Sequence, residues 1–281
     1  MRKGTPVGQD LKAENLTISV PNLGCDKNCP YCVSRMTGYV TNNFPRMLRN
    51  CKKVIHVARA AEVTSVLFTG KGEPTLAYRE LTSLARLFNF WPLELQTNGI
   101  GLAAGDDSLL KGLYDAGFDV IAVSVDTAGQ LDACRELFSR IRDAGLLSRI
   151  TVNITDLLGD VTFPSLLDYC RQTGISQLTL RRIVTPENPK DMKTADWIAD
   201  NVDDNDYRSL MEQARLYVSE QGKLIRTLNH GVEVYDCGGV SFSYSDYCIQ
   251  ERNRGDNIRS LVFLEDGHLY TSWNSASSIL F

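Results

Sequence analysis

The sequence predicts an α/β protein whose core is an open, partial (β/α)6 barrel, followed by an extension of different character. Three observations carry this. Between residues 16 and 185, short apolar runs with a period of two alternate about six times with stripes at three- and four-residue spacing. Turn-forming residues punctuate the strand ends, as in Gly70-Lys71-Gly72-Glu73-Pro74 and Asn98-Gly99. After Pro186 the alternation stops. Repeated strand–helix units build a parallel sheet with helical crossovers, and six units fall short of the eight that close a barrel.

In chain order, residues 1–15 read as a polar, mobile lead-in. Leu16-Thr17-Ile18-Ser19-Val20 alternates as a strand, and a cysteine-bearing loop follows it. Pro45 opens a helix whose stripe is Met47, Cys51, Val54, Ile55, Ala58 and Ala61. The second strand is Ser65–Thr69, and its helix carries Leu81, Leu84, Leu87 and Phe88. The third strand is Leu93–Thr97, followed by a short helix around Leu109, Leu110 and Leu113. Val120–Val125 is the fourth strand, with a stripe of Leu131, Cys134, Leu137, Phe138 and Ile141 behind it. Ile150–Ile154 is the fifth, with Leu166, Leu167 and Cys170 on its helix, and Gln177–Val184 the sixth. The core is thus 16–185 and the extension 186–281, expected to cover the barrel mouth. In the extension, the aspartate-rich run Asp196–Asp206 reads as a solvated loop leading into a helix through Leu210, Met211, Ala214, Tyr217 and Val218. Arg259–Leu264 and His268–Trp273 around Asp266-Gly267 read as a β-hairpin.

Composition narrows the function classes. The chain has 281 residues, 43% hydrophobic and 23% charged, which is ordinary for a globular protein with a full core. A formal charge of −4 gives no global basic surface and argues against a long nucleic-acid partner. No apolar run reaches the roughly 18–20 residues that span a bilayer, and the N-terminus has no secretory pattern. A cytoplasmic location follows as an expectation. There, eight cysteines point to metal or catalysis before disulfides.

The chemistry is concentrated in Cys25-Asp26-Lys27-Asn28-Cys29-Pro30-Tyr31-Cys32, directly after the first strand. Thiolates ligate iron–sulfur clusters, which usually take four of them, so three in one loop leave one iron open to another ligand. The rival is a structural zinc site in a non-catalytic module. Zinc sites usually close with four ligands, and no second CxxC and no HxxxH is present.

The spacing Cys-x3-Cys-x-aromatic-Cys, with Tyr31 in the aromatic slot, resembles the signature of the radical S-adenosylmethionine (SAM) superfamily. The resemblance covers about residues 16–185 and implies the TIM-like partial barrel already suggested by the six units. It implies a [4Fe-4S] cluster on Cys25, Cys29 and Cys32, with SAM chelating the open iron. It further implies reductive cleavage of SAM, a 5′-deoxyadenosyl radical and hydrogen abstraction from a substrate, with an electron donor such as flavodoxin or ferredoxin.

The implied cofactor contacts all lie at strand ends, where parallel β/α folds gather their sites. Gly72, Glu73 and Pro74 resemble the family's Gly-Gly-Glu-Pro segment, with Lys71 replacing its first glycine. Thr97 and Asn98 match a Thr-Asn-Gly step that many members carry, although an ordinary Asn-Gly turn reads equally well. Ser124 and Asp126 share one side of the fourth strand and suit a carboxylate or ribose, Asp126 serving equally as a helix cap. Asn153 on the fifth strand is a further polar candidate. Of Arg181 and Arg182, only one can face inward, and Arg181 is the candidate for the SAM carboxylate.

Cys51, Cys134 and Cys170 fall on apolar stripes and read as core. Cys237 and Cys248 lie outside such stripes, and either is a candidate hydrogen-atom donor to a product radical. His56, His230 and His268 have no partner spacing and read as structural. A small molecule or nucleotide is the expected substrate. A peptide- or RNA-modifying enzyme using Cys248 or Cys237 is the alternative.

Overall fold

The structure, a computed structural model, describes residues 11–202, 204–228, 231–245, 257–273 and 275–281. Strands β1 (Lys12–Val20), β2 (Ser65–Gly70), β3 (Leu93–Thr97), β4 (Val120–Val125), β5 (Leu147–Ile154) and β6 (Gln177–Arg182) pair in parallel in chain order. Between them run α1 (Val33–Thr37), α2 (Phe44–Ala60), α3 (Tyr78–Phe88), α4 (Ile100–Ala104), α5 (Asp107–Ala116), α6 (Ala128–Ala133), α7 (Arg135–Asp143) and α8 (Phe163–Thr173). Sequence-local signals set several boundaries. Asn43 caps α2 by accepting from the Arg46 amide at 3.1 Å, with Pro45 in the first turn. Thr162 and Ser165 form a capping box on α8. The stripe expected as one helix after β4 breaks into α6 and α7 at Cys134.

The extension contains α9 (Met192–Asn201), α10 (Asp204–Gln221), β7 (Lys223–Thr227), β8 (Glu233–Asp236), β9 (Ser241–Ser245), β10 (Asn257–Phe263) and β11 (Leu269–Tyr270). It corrects the expected division in three ways. First, its strands join the barrel sheet rather than lying over it. The β9 strand runs parallel beside β6, and β10 runs parallel beside β1, so the sheet order is β11-β10-β1-β2-β3-β4-β5-β6-β9-β8-β7. Second, the lead-in is shorter than expected, because Lys12, Ala13 and Asn15 are held in β1 by pairing with Asn257, Ile258 and Ser260. Third, the aspartate-rich run is not all loop. Asp191 caps α9, and Ala195 and Ile198 bury its inner face while Asp196 and Asp200 stay outside. The expected hairpin is present, with β10 and β11 antiparallel.

The strands are two-faced. Leu16, Ile18, Val66, Phe68, Leu95, Val123, Val152 and Leu180 lie in one buried cluster with helix residues such as Met47, Leu81, Leu84, Phe88 and Phe138. The alternate residues Asn15, Thr17, Thr69, Gln96 and Arg181 line a cavity inside the curved sheet. The apolar face therefore packs outward against the helices, and the polar face lines the lumen. This settles the arginine alternative: Arg181 faces inward, and Arg182 takes the other face. Among the described residues, no helix is long and apolar enough to cross a membrane.

Candidate active site

The cysteine loop occupies the C-terminal end of β1, and contacts from several elements hold it there. At its start, Asn42 accepts from the Asn22 amide at 2.9 Å and donates to the Asn22 carbonyl at 2.8 Å. The Asn22 side chain in turn accepts from the Gly24 amide at 2.9 Å. The segment after β2 packs directly beneath: the Glu73 amide donates to the Gly24 carbonyl at 2.8 Å. A β-carbon on Gly72 would stand 2.1 Å from that same carbonyl oxygen, so only glycine permits the approach. At the far end of the loop, Arg35 donates to the Cys29 carbonyl and to Asn28, both at 2.7 Å.

Asp126, 3% exposed at the end of β4, is the deepest anchor. Its carboxylate accepts from Lys27 at 3.0 Å and from the Tyr31 hydroxyl. Asn153 at the end of β5 donates to the same hydroxyl at 3.4 Å. Thr127, and not Asp126, caps the following helix, which removes the cap alternative. Burial above all, then the nearby Cys29 and Asp126 charges, pushes the Tyr31 phenol up, so it stays protonated and donates. The ring of Tyr31 packs against Trp197 of α9 at a centroid distance of 5.9 Å, and Cys29 sits at the edge of this cluster. Helix α9 of the extension thus packs against the loop.

Glu73, 3% exposed, joins the ends of β2 and β3. One oxygen accepts from Thr97 at 2.6 Å and from the hydroxyl and amide of Thr75 at 2.8 and 3.0 Å. The other accepts from the Asn98 amide at 2.9 Å. The Asn98 side chain reaches the cysteine loop, donating to Asp26 at 2.6 Å and lying 3.8 Å from the Cys25 sulfur. Thr97-Asn98-Gly99 is a turn, with Gly99 at φ +78°, that is also hydrogen-bonded to both neighbouring loops.

The geometry brings together Cys25, Cys29, Cys32, Tyr31, Gly72, Glu73, Pro74, Thr97, Asn98, Asp126 and Asn153. Ser124 and Arg181 stand on the inner face below them, Ser124 opposite Thr151 of β5. Cys237 does not join them. It lies in the turn entering β9, whose first residue pairs with the first residue of β6, so it is at the opposite end of the strands. There it is fully buried beside Arg171, which donates to its carbonyl at 3.0 Å. That position removes Cys237 as a hydrogen-atom donor to this mouth. Cys248 and His230 lie outside the described residues. Cys51, Cys134 and Cys170 are buried as expected. Burial pushes the thiols up, to about 11 for Cys51 and Cys237 and about 12 for Cys170, as befits inert core cysteines. His268 also reads as structural, its Nε2 lying 2.9 Å from Arg46.

Sequence reading missed a second pair at the mouth. Lys71, 6% exposed, donates to the Gly38 carbonyl, and Glu265 in the β10–β11 turn is fully buried nearby. Burial pushes the Glu265 carboxyl up, offset in part by a hydrogen bond with Ser19 and then by the Lys71 charge, and burial pushes the Lys71 ammonium down, offset in part by the Glu265 charge. The residue replacing a glycine in the resemblance was the available signal for Lys71; nothing local flagged Glu265.

A parallel barrel with three thiols and buried carboxylates at its C-terminal mouth defines a class: β/α enzymes that hold a redox cofactor where the strand-end loops converge. Residues 19–198 match the model of the radical SAM superfamily, and the chain belongs to that superfamily. It is 22% identical over 199 residues to 7-carboxy-7-deazaguanine synthase of Clostridium acetobutylicum, covering 62% of this chain and 87% of that one. It is 25% identical over 173 residues to GTP 3′,8-cyclase of the same organism, covering 60% of this chain but only 51% of the cyclase. Among solved structures, Streptococcus suis SuiB bound to precursor peptide SuiA superposes with a TM-score of 0.58 at 15% identity, over 92% of this chain and 59% of SuiB. That likeness supports the TIM-like partial barrel. The chain is an enzyme of the radical SAM type, and the family implies SAM and an iron–sulfur cluster.

The residues present fit these groups. A cluster spreads its cysteines over several irons, and the described residues arrange no three of their His, Cys, Asp or Glu side chains around a single ion. Among the described residues, Asn153 Oδ1 and Thr155 Oγ1 are buried at the strand ends without a hydrogen-bond partner. Buried polar atoms are ordinarily satisfied, so these atoms suit contact with a polar ligand.

Proposed function

We propose that Cys25, Cys29 and Cys32 hold a [4Fe-4S] cluster, and that the enzyme cleaves SAM reductively and abstracts hydrogen from a small-molecule or nucleotide substrate. The observation that carries this is the junction at Glu73 and Asn98. One hydrogen-bonded chain runs from the end of β2 through the end of β3 to the cysteine loop. When bound and reduced, the cluster supplies the electron that splits the SAM sulfonium into methionine and a 5′-deoxyadenosyl radical, which takes hydrogen from the substrate.

The protein's part is to place and to shield. The Asp126 carboxylate holds Tyr31 and Lys27, and so fixes the loop between Cys25 and Cys32. Gly72 lets the segment after β2 approach the loop, with backbone carbonyls at hand to accept from the methionine amine. Asn98, Ser124, Asn153 and Arg181 supply polar contacts for the remaining parts of SAM. The α9 helix and the Tyr31–Trp197 contact exclude water from the Cys29 side. A flavodoxin or ferredoxin would deliver the electron.

A small or nucleotide substrate is favoured over a peptide because the curated relatives are named for GTP and for a deazaguanine. The likeness to SuiB speaks for the fold alone. Anaerobic reconstitution with iron and sulfide tests the proposal. The expected result is a broad visible absorbance that dithionite bleaches, with 5′-deoxyadenosine formed from SAM. Stoichiometric zinc binding without SAM cleavage would overturn it.

A further inference from the structure

We propose that Gln96 and Asn15, on the inner wall of the barrel, read the edge of a heterocyclic amide in the substrate, an N–H beside a C=O as in a lactam or an oxo-nucleobase. The proposal rests on the radical SAM reading for the location of the chemistry and adds the kind of ring presented to it. Both side chains line the lumen cavity, together with Thr17, Leu67 and Thr69. Gln96 lies one residue before Thr97, the end of β3 that is hydrogen-bonded to Glu73. A ring held there lies just below the cysteine-bearing mouth.

An amide side chain can ordinarily turn either way, because its oxygen and nitrogen are alike in shape. Gln96 cannot. Its Nε2 donates to one Glu94 oxygen at 3.0 Å, and the other Glu94 oxygen is held by Arg149. Arg149 is itself fixed by donating to Gln177 at 2.7 Å. Ala122 of β4 pairs with Gln96 on one side and with Arg149 on the other, and its small side chain leaves room for Arg149 to reach Glu94. A carboxylate held by a guanidinium only accepts, so a flipped Gln96 would set oxygen against oxygen. The Gln96 carbonyl oxygen is therefore the atom left for the cavity, and it calls for a donor.

Asn15 supplies the opposite polarity. The Thr17 hydroxyl donates to its Oδ1 at 3.1 Å, which leaves the Asn15 amide nitrogen to donate to a ligand carbonyl. Between the two stands Leu67 of β2, in register with Thr17 on one side and with Glu94 on the other, an apolar contact for the plane of a ring. Trp273 adds aromatic surface to the same cavity. These strands are β1, β2 and β3, whereas Ser124, Asn153 and Arg181, proposed above for SAM, stand on β4, β5 and β6. Ring and cofactor thus take different sectors of one barrel. A site built around an enclosed acceptor rejects a ring whose N–H is blocked, because the acceptor is then left unpaired.

The test uses anaerobically reconstituted enzyme and two pairs of probes. Uridine and inosine carry a ring N–H beside a C=O; in 3-methyluridine and 1-methylinosine a methyl group replaces that hydrogen. Binding is read by calorimetry with and without saturating SAM. Uridine or inosine should bind saturably, and its methylated counterpart about tenfold to a hundredfold more weakly, the weight of a hydrogen bond lost with its acceptor left unpaired. In Gln96→Met the difference should shrink to about twofold or less, since the length of the side chain is kept and the acceptor is gone. Glu94→Gln, which lets the Gln96 amide turn over, should reduce the difference in part. The wild-type comparison needs no variant, so it stands even where a variant fails to fold.

Four results overturn the proposal: no saturable binding of either parent nucleoside, equal affinity of parent and methylated probe for wild type, a difference that survives in folded Gln96→Met, or loss of probe binding when SAM is added, which would assign the cavity to the cofactor. Formation of 5′-deoxyadenosine by the same wild-type preparation is scored separately. Cleavage of SAM without discrimination between the probes would sink this proposal alone, and discrimination without cleavage would sink the radical SAM reading alone.

Discussion

The two faces of the same parallel strands obey opposite rules. Outward, Leu16, Ile18, Val66, Phe68, Val123 and Val152 pack against helices and are at most marginally exposed. Inward, the strands present Asn15, Thr17, Ser19, Thr69, Gln96, Asn153 and Arg181, with Asn153 Oδ1 left without a hydrogen-bond partner. In a closed barrel the lumen is filled with branched apolar side chains. Here its lining is polar, so apolar burial is concentrated on the outer face and the inner face offers hydrogen-bonding groups to ligands. Substitutions should therefore divide by face: outer ones felt in unfolding, inner ones in cofactor and substrate binding.

The sharpest case is Gly72, at the point where the segment after β2 touches the cysteine loop. In Gly72→Ala the new methyl would meet the Gly24 carbonyl and the Asn22 side chain, at 2.1 and 2.4 Å, and backbone cannot yield as a flexible side chain would. The cysteine loop should shift, with loss of most cluster iron and at least a hundredfold in SAM cleavage, while the urea midpoint of the apo-protein moves little. Iron content and 5′-deoxyadenosine yield measure the first, and circular dichroism the second. A large fall in the midpoint with normal iron content would reverse the assignment of this site to function.

Next in size is the direct comparison of neighbours on paired strands. Phe68 on β2 is fully buried against Phe88 and Phe118, with ring centroids 6.5 and 5.2 Å away. Phe68→Ala should cost about 3–5 kcal/mol in urea unfolding through lost burial and the cavity left behind. Thr17→Val on the inner face of β1 keeps the volume and removes one hydroxyl, which donates to Asn15 at 3.1 Å. It should cost about 1 kcal/mol. Equal costs at the two positions would break the two-face comparison.

Asp126 tests the boundary between the faces, since it is buried yet ties down the cysteine loop. Asp126→Asn keeps the shape and removes the charge facing Lys27 and Tyr31. Outer-sphere partners of metal ligands typically matter by about tenfold to a hundredfold. That loss is expected in SAM cleavage, together with faster release of iron to a chelator. Unchanged iron release with unchanged cleavage would leave Asp126 a purely structural residue.

How much of this was legible follows from how local each signal is. The strands Leu93–Thr97 and Val120–Val125 were readable to the residue, because period-two runs and the turns after them are set by neighbours in sequence. That the cysteine loop, Glu73 and Asn98 lie side by side was readable for a related reason: in a parallel barrel, the ends of successive strands meet at one mouth. The additions of β9 to β6 and of β10 to β1 were not, since pairing across 64 or more residues leaves no local trace. The partnership of Asp126 with Lys27, 99 residues apart, was hidden in the same way. Cys237 misled because its tight turn, Cys237 to Val240, interrupts any stripe, although Cys237 and Val240 themselves are buried at the far end of the sheet.

The smallest expected effect concerns Glu265, the most deeply buried carboxylate at the mouth. Its carboxyl is held above its ordinary value of 4.5, chiefly by burial, with a hydrogen bond from Ser19 and then the Lys71 charge pulling the other way. A carboxyl with a raised value binds its proton more tightly folded than unfolded. Its stabilising contribution is therefore complete below pH 4.5 and is lost as pH rises through the folded value. Apo-protein stability should fall over that window with a slope of at most one proton, about 1.4 kcal/mol per pH unit. Glu265→Gln should remove that component while leaving the rest of the pH profile intact. Because Lys71 is lowered, also chiefly by burial, its own contribution has the opposite sense and is lost as pH falls through its folded value. The double variant Glu265→Gln, Lys71→Met should thus be flatter than either single one. If Glu265→Gln leaves the slope unchanged, the carboxylate is ionised and fully matched by Lys71, and the pair belongs with the satisfied charges of the barrel floor rather than with the unsatisfied ones at the mouth.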